Sequence, residues 1–362
     1  MEWTFPFSYE MNKYIIVNAT ALDRSGALSI LQQFVENIPQ DNQKWLIFVS
    51  PDISLTNTNS NIWIEPIKGV KSMHKRLWWD AIGLKKWLNK HRVDATAAVS
   101  LQNTGFNVGK NVPTFIYYHQ SIPFYSYNWS PFKGQERTFW FYKNIYPFFV
   151  KLFLKKNTKI FVQLNFIKEG FAKCFRHNEK LIEVYNPSVL CPKEVSGRKI
   201  QNSEELTLLY PAMPHFYKNH RIIDQALKST DAKVSVLFTI PKQSFSDKRI
   251  HTIGIQSYDT ICELYRTCDA LLFPSYIETF GLPLLEAAMT GMPIIAADLP
   301  YAREALSGYE GVKFVPYNDP QAWAKAIDNL EKGKRYNPID ISKRSGWKEL
   351  FESILELSLI HI

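Results

Sequence analysis

The 362-residue sequence predicts an α/β fold of two doubly wound domains facing across a cleft, and three observations carry that expectation. Short apolar runs alternate with helix-length stretches along the chain, the pattern of mainly parallel sheets covered on both faces. The strands come in two separate series. Between the series, "NPSVLCPKEVSGRKIQNSEE" (186–205) replaces apolar runs with Pro, Ser, Gly and charge, which marks a seam. The length points the same way, because it exceeds what one ordinary core organises.

The first series opens with "YIIVNAT" (14–20), a buried strand, then the turn "ALDRSG" and the helix "ALSILQQFVENI". "KWLIFVS", "NIWIEPI", "ATAAVSL", "TFIYYH", "KIFVQL" and "LIEVYN" repeat the strand signal through residue 186. Helix-length stretches at 72–90 and 136–156 lie between them. The second series is "LTLLYPA", "KVSVLFTI", "HTIGI", "DALLFPS", "PIIAAD" and "VKFVPY", with helices expected around 219–229, 257–267, 283–290 and 320–331. The predicted domains are 1–188 and 189–344. "SGWKELFESILELSLI" (345–360) has helical periodicity, and the helix of 345–362 either caps its own domain or packs back on the first.

Composition excludes several classes. With 46% apolar and 21% charged residues the chain reads as globular. It has no apolar run of membrane-spanning length, and its N-terminus lacks the basic start and apolar core of a secretory signal. Cys174, Cys191, Cys262 and Cys268 form no metal-like CxxC pair, so a reduced, cytoplasmic setting is expected. The net charge of +9 is uneven: residues 1–190 hold 23 Lys/Arg against 13 Asp/Glu, and residues 191–362 hold 20 against 21. The strip 133–180 has 11 basic and 3 acidic residues, and "FWFYKNIYPFFVKLFLKK" (139–156) is strongly aromatic. That strip reads as a helix with a buried aromatic face and a solvated Lys face, as a contact for an anionic membrane, or as a nucleic-acid surface. No nucleic-acid-binding motif accompanies the charge.

Ligands of open parallel sheets gather at the carboxyl ends of strands, where loops meet helix starts. "PSYIETFGLPLLEAAMTGMPII" (274–295) occupies such a place. Pro283 fits the first position of a helix, and Gly281 before it permits close backbone approach to a ligand. The N–H groups of Leu284 and Leu285 are then expected to be free for a diphosphate. Glu286, in the first turn, suits the diol of a ribose, and Glu278 suits a sugar beyond the phosphates. The alternative is a helix-start acid favouring the dipole plus an unrelated loop acid.

"ETFGLPLLEAAMTGMPIIAADLPYAREAL" (278–306) resembles the E-x7-E signature of retaining GT-B glycosyltransferases of family 4, whose fold is two Rossmann-like domains. The resemblance implies that Glu278 contacts the donor sugar and Glu286 the nucleotide ribose. Backbone amides around Phe280, Gly281 and Leu282 would hold sugar hydroxyls or phosphate. "YPAMPHFYKNHRIIDQAL" (210–227) is similar to the family's phosphate-binding segment, with Lys218 in place of its Lys. His215 stands where related sequences have Arg, which removes a permanent forked charge, and Arg221 one turn beyond Lys218 is the candidate to compensate. "VSLQNTGF" (99–106) and "IYYHQSIPFY" (116–125) resemble a bacterial branch that builds O-antigen and capsule. There His119 would approach the donor sugar, Asn103 would lie in the acceptor or phosphate loop, and Gly26 of "DRSGALSI" would near diphosphate or acceptor.

The resemblance implies a peripheral enzyme on the inner face of the plasma membrane. It would move a hexose from a nucleotide-diphosphate sugar, UDP being favoured, to a lipid-linked glycan, with retention and without metal or other cofactor. Glu278, His119 and Lys218 are the expected catalytic residues. The alternative is a GT-B protein that binds a nucleotide-sugar or a partner with weak or no transfer.

Overall fold

The computed structural model describes residues 12–359 apart from 24, 54, 56–58, 71 and 190–203. The N-terminal stretch read for a signal, most of the seam, and Cys191 lie outside the described residues. Cys174, Cys262 and Cys268 are free thiols. The chain forms two compact units, residues 1–188 with 344–362 and residues 189–343.

Unit 1 is built on a seven-stranded parallel sheet ordered β3-β2-β1-β4-β5-β6-β7. Its strands are β1 (Asn12–Ala19), β2 (Trp45–Val49), β3 (Ile62–Pro66), β4 (Val93–Ser100), β5 (Thr114–Tyr118), β6 (Lys159–Val162) and β7 (Ile182–Val184). Helices α1 (Ser25–Glu36), α2 (Met73–Trp78), α3 (Leu84–Lys90), α4 (Arg137–Asn144), α5 (Tyr146–Phe153) and α6 (Asn165–Phe175) cover it. The interior strand β1 carries the apolar run Tyr14–Val17 because both of its faces are covered. Alternate side chains serve opposite cores: Ile15 and Val17 pack with Phe34 and Trp45, whereas Ile16 packs with Leu46, Phe48, Trp79 and Leu84.

Unit 2 carries a six-stranded parallel sheet ordered β10-β9-β8-β11-β12-β13. Its strands are β8 (Leu206–Tyr210), β9 (Val234–Phe238), β10 (Ile250–Thr252), β11 (Ala270–Phe273), β12 (Ile294–Ala297) and β13 (Val312–Val315). Helices α7 (His220–Leu227), α8 (Tyr258–Thr267), α9 (Leu282–Ala288), α10 (Pro300–Ala305) and α11 (Pro320–Asp328) connect them. The last helix, α12 (Trp347–Leu359), belongs to unit 1. Trp347 stacks on Tyr117 at 5.4 Å, and Phe351 sits 4.9 Å from Phe34 and 5.5 Å from Trp45 between ring centroids. Trp347 Nε1 donates to Gln33 Oε1 at 3.1 Å.

Two expected helices are not continuous. The 72–90 helix contains a π turn at Trp79–Gly83 between α2 and α3. The basic aromatic helix of 136–156 is split into α4 and α5 at Ile145, where Pro147, the second residue of α5, cannot donate to a preceding turn. Nor is its Lys face uniformly solvated. Lys155 Nζ donates to Gly109 O at 2.8 Å and Lys143 donates to the carbonyls of Tyr125 and Tyr127, while beyond the helix, on β6, Lys159 pairs with Glu183 at 3.0 Å. Lys151 and Lys156 remain exposed. Among the described residues no helix is long and apolar enough to cross a membrane.

Candidate active site

In each unit the strand order reverses beside the first strand, between β1 and β4 and between β8 and β11. Adjacent loops diverge at such a switch point, and ligands of open α/β sheets bind in the crevice they leave. Gly26 and Asn103 follow β1 and β4, His215, Lys218 and Glu278 follow β8 and β11, Arg221 and Glu286 lie on the helices α7 and α9 after those loops, and His119 follows β5, the next strand along.

In unit 2 the loop after β8 ends in a 3-10 turn at Phe216–Lys218, followed by Asn219 in the left-handed region at φ 58°. Tyr210 Oη donates to Lys218 O at 2.6 Å and Asn219 Nδ2 donates to Tyr317 O at 2.8 Å, which fixes the turn. The loop after β11 is tied to it, since Tyr276 N–H donates to Tyr217 O at 3.0 Å. Tyr301 Oη holds the same loop through Ser275 O at 2.6 Å. Lys218 and Glu278, 60 positions apart in sequence, therefore meet as an ion pair. Their side chains are 16% and 14% exposed. Lys218 Nζ also lies 5.5 Å from the Tyr217 ring and 5.8 Å from that of Phe273, where the ring faces favour a cation.

His215 is exposed and stacks parallel to Tyr217 at 5.3 Å. Partial burial and the charge of Lys218 lower its pKa, so its imidazole is neutral at pH 7. Arg221 lies on the exposed face of α7, one residue past His220. Gly281 caps α9 at φ 86°, a conformation that disfavours L side chains. A Cβ there would also lie 3.1 Å from Leu284 Cδ1. Phe280 is buried and Leu282 half-buried.

The helix-start reading needs correction. α9 begins at Leu282, so Pro283 is its second residue and Glu286 its fifth, beyond the first turn. Leu284 N–H is not free, because it donates to Gly281 O at 2.9 Å. With seven residues the helix is too short for a strong dipole. Glu286 is instead a buried carboxylate, 9% exposed, accepting from Tyr265 Oη at 2.8 Å. Burial raises its pKa, and hydrogen bonds from Tyr265 and Tyr258 oppose that rise. Nothing in the motif pointed to these two tyrosines, which lie on α8.

In unit 1, Asn103 adopts φ 68° and its Oδ1 accepts the His119 N–H at 2.6 Å. His119 Nε2 meets Leu101 O at 2.9 Å, so this nitrogen carries the proton. Burial lowers the pKa of His119, with the Leu101 bond opposing. Asn103 and His119 are thus brought together, the amide positioning the histidine. Gly26 is exposed near the start of α1, and a Cβ there would meet nothing within 4 Å. Internal packing therefore does not require glycine at 26. Sequence reasoning missed Asp80, which occupies the π turn and is 1% exposed. Asn18 Nδ2 donates to its Oδ1 at 2.8 Å, and Gln102 Nε2 donates to Oδ1 and Oδ2 at 2.9 and 3.1 Å. This carboxyl joins the ends of β1 and β4. Burial pushes its pKa up to about 7, against the bonds from Asn18 and Gln102 and the charge of Arg76. Among the described residues no group of three or more His, Cys, Asp and Glu is placed to hold a metal ion.

Residues 242–345 match the family described as Glycosyl transferases group 1, a span that includes Glu278 and Glu286. The chain is 25% identical over 202 residues to the O-antigen chain mannosyltransferase RfbU of Salmonella typhimurium, covering 52% of this chain and 56% of that protein. It is 35% identical over 89 residues to a D-inositol 3-phosphate glycosyltransferase of Salinispora tropica, covering 24% of this chain and 18% of that protein. The chain thus spans little more than half the length of the first relative and under a fifth of the second. Among solved structures, Anabaena Alr3699/HepE in complex with UDP and glucose matches with a TM-score of 0.64 at 15% identity, over 97% of this chain and 100% of that one. WaaG, a glycosyltransferase involved in lipopolysaccharide biosynthesis, matches with a TM-score of 0.62 at 13% identity, over 95% and 94%. These likenesses establish the fold as the two-unit, Rossmann-like GT-B class.

Proposed function

We propose that the chain is a retaining glycosyltransferase that moves a hexose from a nucleotide-diphosphate sugar, with UDP as the nucleotide, to a lipid-linked glycan in bacterial surface polysaccharide synthesis. The observation that carries the reading is the Lys218–Glu278 pair at the unit 2 switch point, with Glu286 buried on the helix that follows. The group 1 match over both glutamates supports glycosyl transfer, and the UDP named with a structural neighbour supports the donor class.

In this reading the bond between C1 of the sugar and the phosphate oxygen breaks, and its electron pair leaves on the diphosphate. The acceptor hydroxyl bonds C1 on the same face, and its proton passes to the departing phosphate oxygen. The products are the nucleoside diphosphate and the extended glycan. Lys218 exchanges Glu278 for phosphate and meets the charge that develops there. Glu278 then accepts from sugar hydroxyls, and the backbone N–H groups of Phe280, Gly281 and Leu282 donate to them. Glu286, oriented by Tyr265, binds the ribose diol. His215 and Arg221 flank the phosphates. We assign His119 to orienting the sugar, Asn103 to holding His119, and Gly26 to close backbone approach. The mechanism uses no metal.

Thermal unfolding with UDP, GDP, ADP and CMP tests the donor site. A diphosphate at about 100 times its Kd adds about 2.7 kcal/mol, and Glu286→Gln removes that gain. Absence of stabilisation by every nucleotide would sink the donor assignment. A second reading, binding without transfer, is favoured by His215, whose neutral ring lacks the charge of an Arg. Sugar turnover, with Glu286→Gln as the zero, separates the two readings.

The lipid-linked acceptor implies attachment to the inner face of the membrane. Phe148 and Leu152 are 65% and 57% exposed on α5, with Ile145, 38% exposed, just before its start and exposed Lys151 and Lys156 nearby in the chain. Apolar side chains flanked by lysines suit an anionic bilayer surface. Phe148→Ser with Leu152→Ser, and Lys151→Glu with Lys156→Glu, should each reduce co-sedimentation with anionic vesicles. Equal binding by both pairs would end the membrane reading.

A further inference from the structure

A cavity of about 640 Å³ opens in unit 1 where the chain leaves β3 and enters α2. Its size lies within the ordinary range of small-molecule sites. Trp78 and Trp79 form one side, while Lys68, His74 and Lys75 bring cationic or ionisable groups, and none of its lining residues is acidic. Trp78 is 53% exposed, an unusual place for so large an apolar ring. Trp79 is only 5% exposed and belongs to the core beneath the cavity that it helps to line. β1, β2 and β3 run parallel, so the cavity lies on the same edge of the sheet as the loop carrying Gly26. Two strand spacings, roughly 10 Å, separate β3 from β1.

We propose that this cavity is an acceptor subsite taking a saccharide that bears a phosphate or similar anionic group. The proposal rests on the glycosyl-transfer reading and names the acceptor chemistry that reading leaves open. The exposed indole face of Trp78 covers the apolar C–H face of a pyranose ring. Lys68 and Lys75 meet the anion, and His74 adds a further donor at the rim.

The probes are glucose 1-phosphate, methyl glucoside and inorganic phosphate, titrated into the full chain and followed by tryptophan fluorescence. Glucose 1-phosphate should give a saturable change. Lys68→Gln with Lys75→Gln, both on the exposed surface, should weaken it at least tenfold and leave methyl glucoside unaltered. Trp78→Ala, at an exposed position, removes the ring face and should weaken both sugars several-fold. No saturable change, or lysine variants that bind like the parent, would overturn the proposal. Inorganic phosphate binding as tightly as glucose 1-phosphate would overturn the saccharide assignment. UDP stabilisation measured on the same samples separates the two readings. UDP binding with a silent cavity sinks this proposal alone, and a responsive cavity without UDP binding sinks only the donor site.

Discussion

Replacing Asp80 by Asn should make unit 1 more stable at pH 8 and slightly less stable at pH 4. The native carboxyl has a pKa of about 7 against an ordinary 3.8, and burial is the chief cause. Because the folded state holds this proton more tightly, its contribution to stability is complete below pH 4. It is lost as pH rises from there to about 7, and constant above. At about 1.36 kcal/mol per pH unit, the gap of about three units amounts to about 4 kcal/mol. Asparagine keeps the oxygen that accepts from Asn18 and Gln102, but puts an NH₂ where Oδ2 accepts from Gln102 at 3.1 Å. That lost bond costs about 1 kcal/mol at any pH. The net expectation is a gain of about 3 kcal/mol at pH 8 and a loss of about 1 kcal/mol at pH 4. Urea unfolding of parent and variant measures it, because other titrating groups cancel in the difference. Among the described tryptophans only Trp323 lies outside unit 1, so fluorescence follows the relevant unit. A difference that stays within about 1 kcal/mol across the pH range would refute the burial argument.

Lys218→Met should lower turnover by about 10²–10³-fold if the lysine meets developing charge, and steady-state kinetics at saturating donor reads this directly. A loss confined to KM would place Lys218 in ground-state binding alone. Gly281→Ala should cost about 1–2 kcal/mol, from its left-handed φ and the close Leu284 contact, measured as a shift in denaturation midpoint. Phe351→Ala, at a position 1% exposed between Phe34 and Trp45, should cost about 3–5 kcal/mol. A small effect in urea unfolding would mean that α12 contributes little to the unit 1 core.

The strands were legible because a strand covered on both faces must be an apolar run, as in "YIIV" and "ALLF", whatever its partners. Elements whose limits depend on neighbours were less so. The π turn at Trp79–Gly83 and the break at Ile145 are not encoded in periodicity. The loop glycine and both glutamates were visible from their motif. The partner of each glutamate was not, since Lys218 lies 60 residues from Glu278 and Tyr265 21 residues from Glu286. Asp80 looked like one more polar residue on an amphipathic stretch. Its burial against Asn18 and Gln102 made it a carboxyl that titrates near neutrality.

The sequence alone thus determined what local chemistry determines: alternating strands and helices, the places where loops follow strands, and the residue types those loops present. Tertiary structure decided which charges are paired, which N–H groups are already used, and which side chains lose their water. Hydrogen bonding and desolvation depend on atoms brought within a few ångströms by the fold, and sequence separation carries no information about that distance.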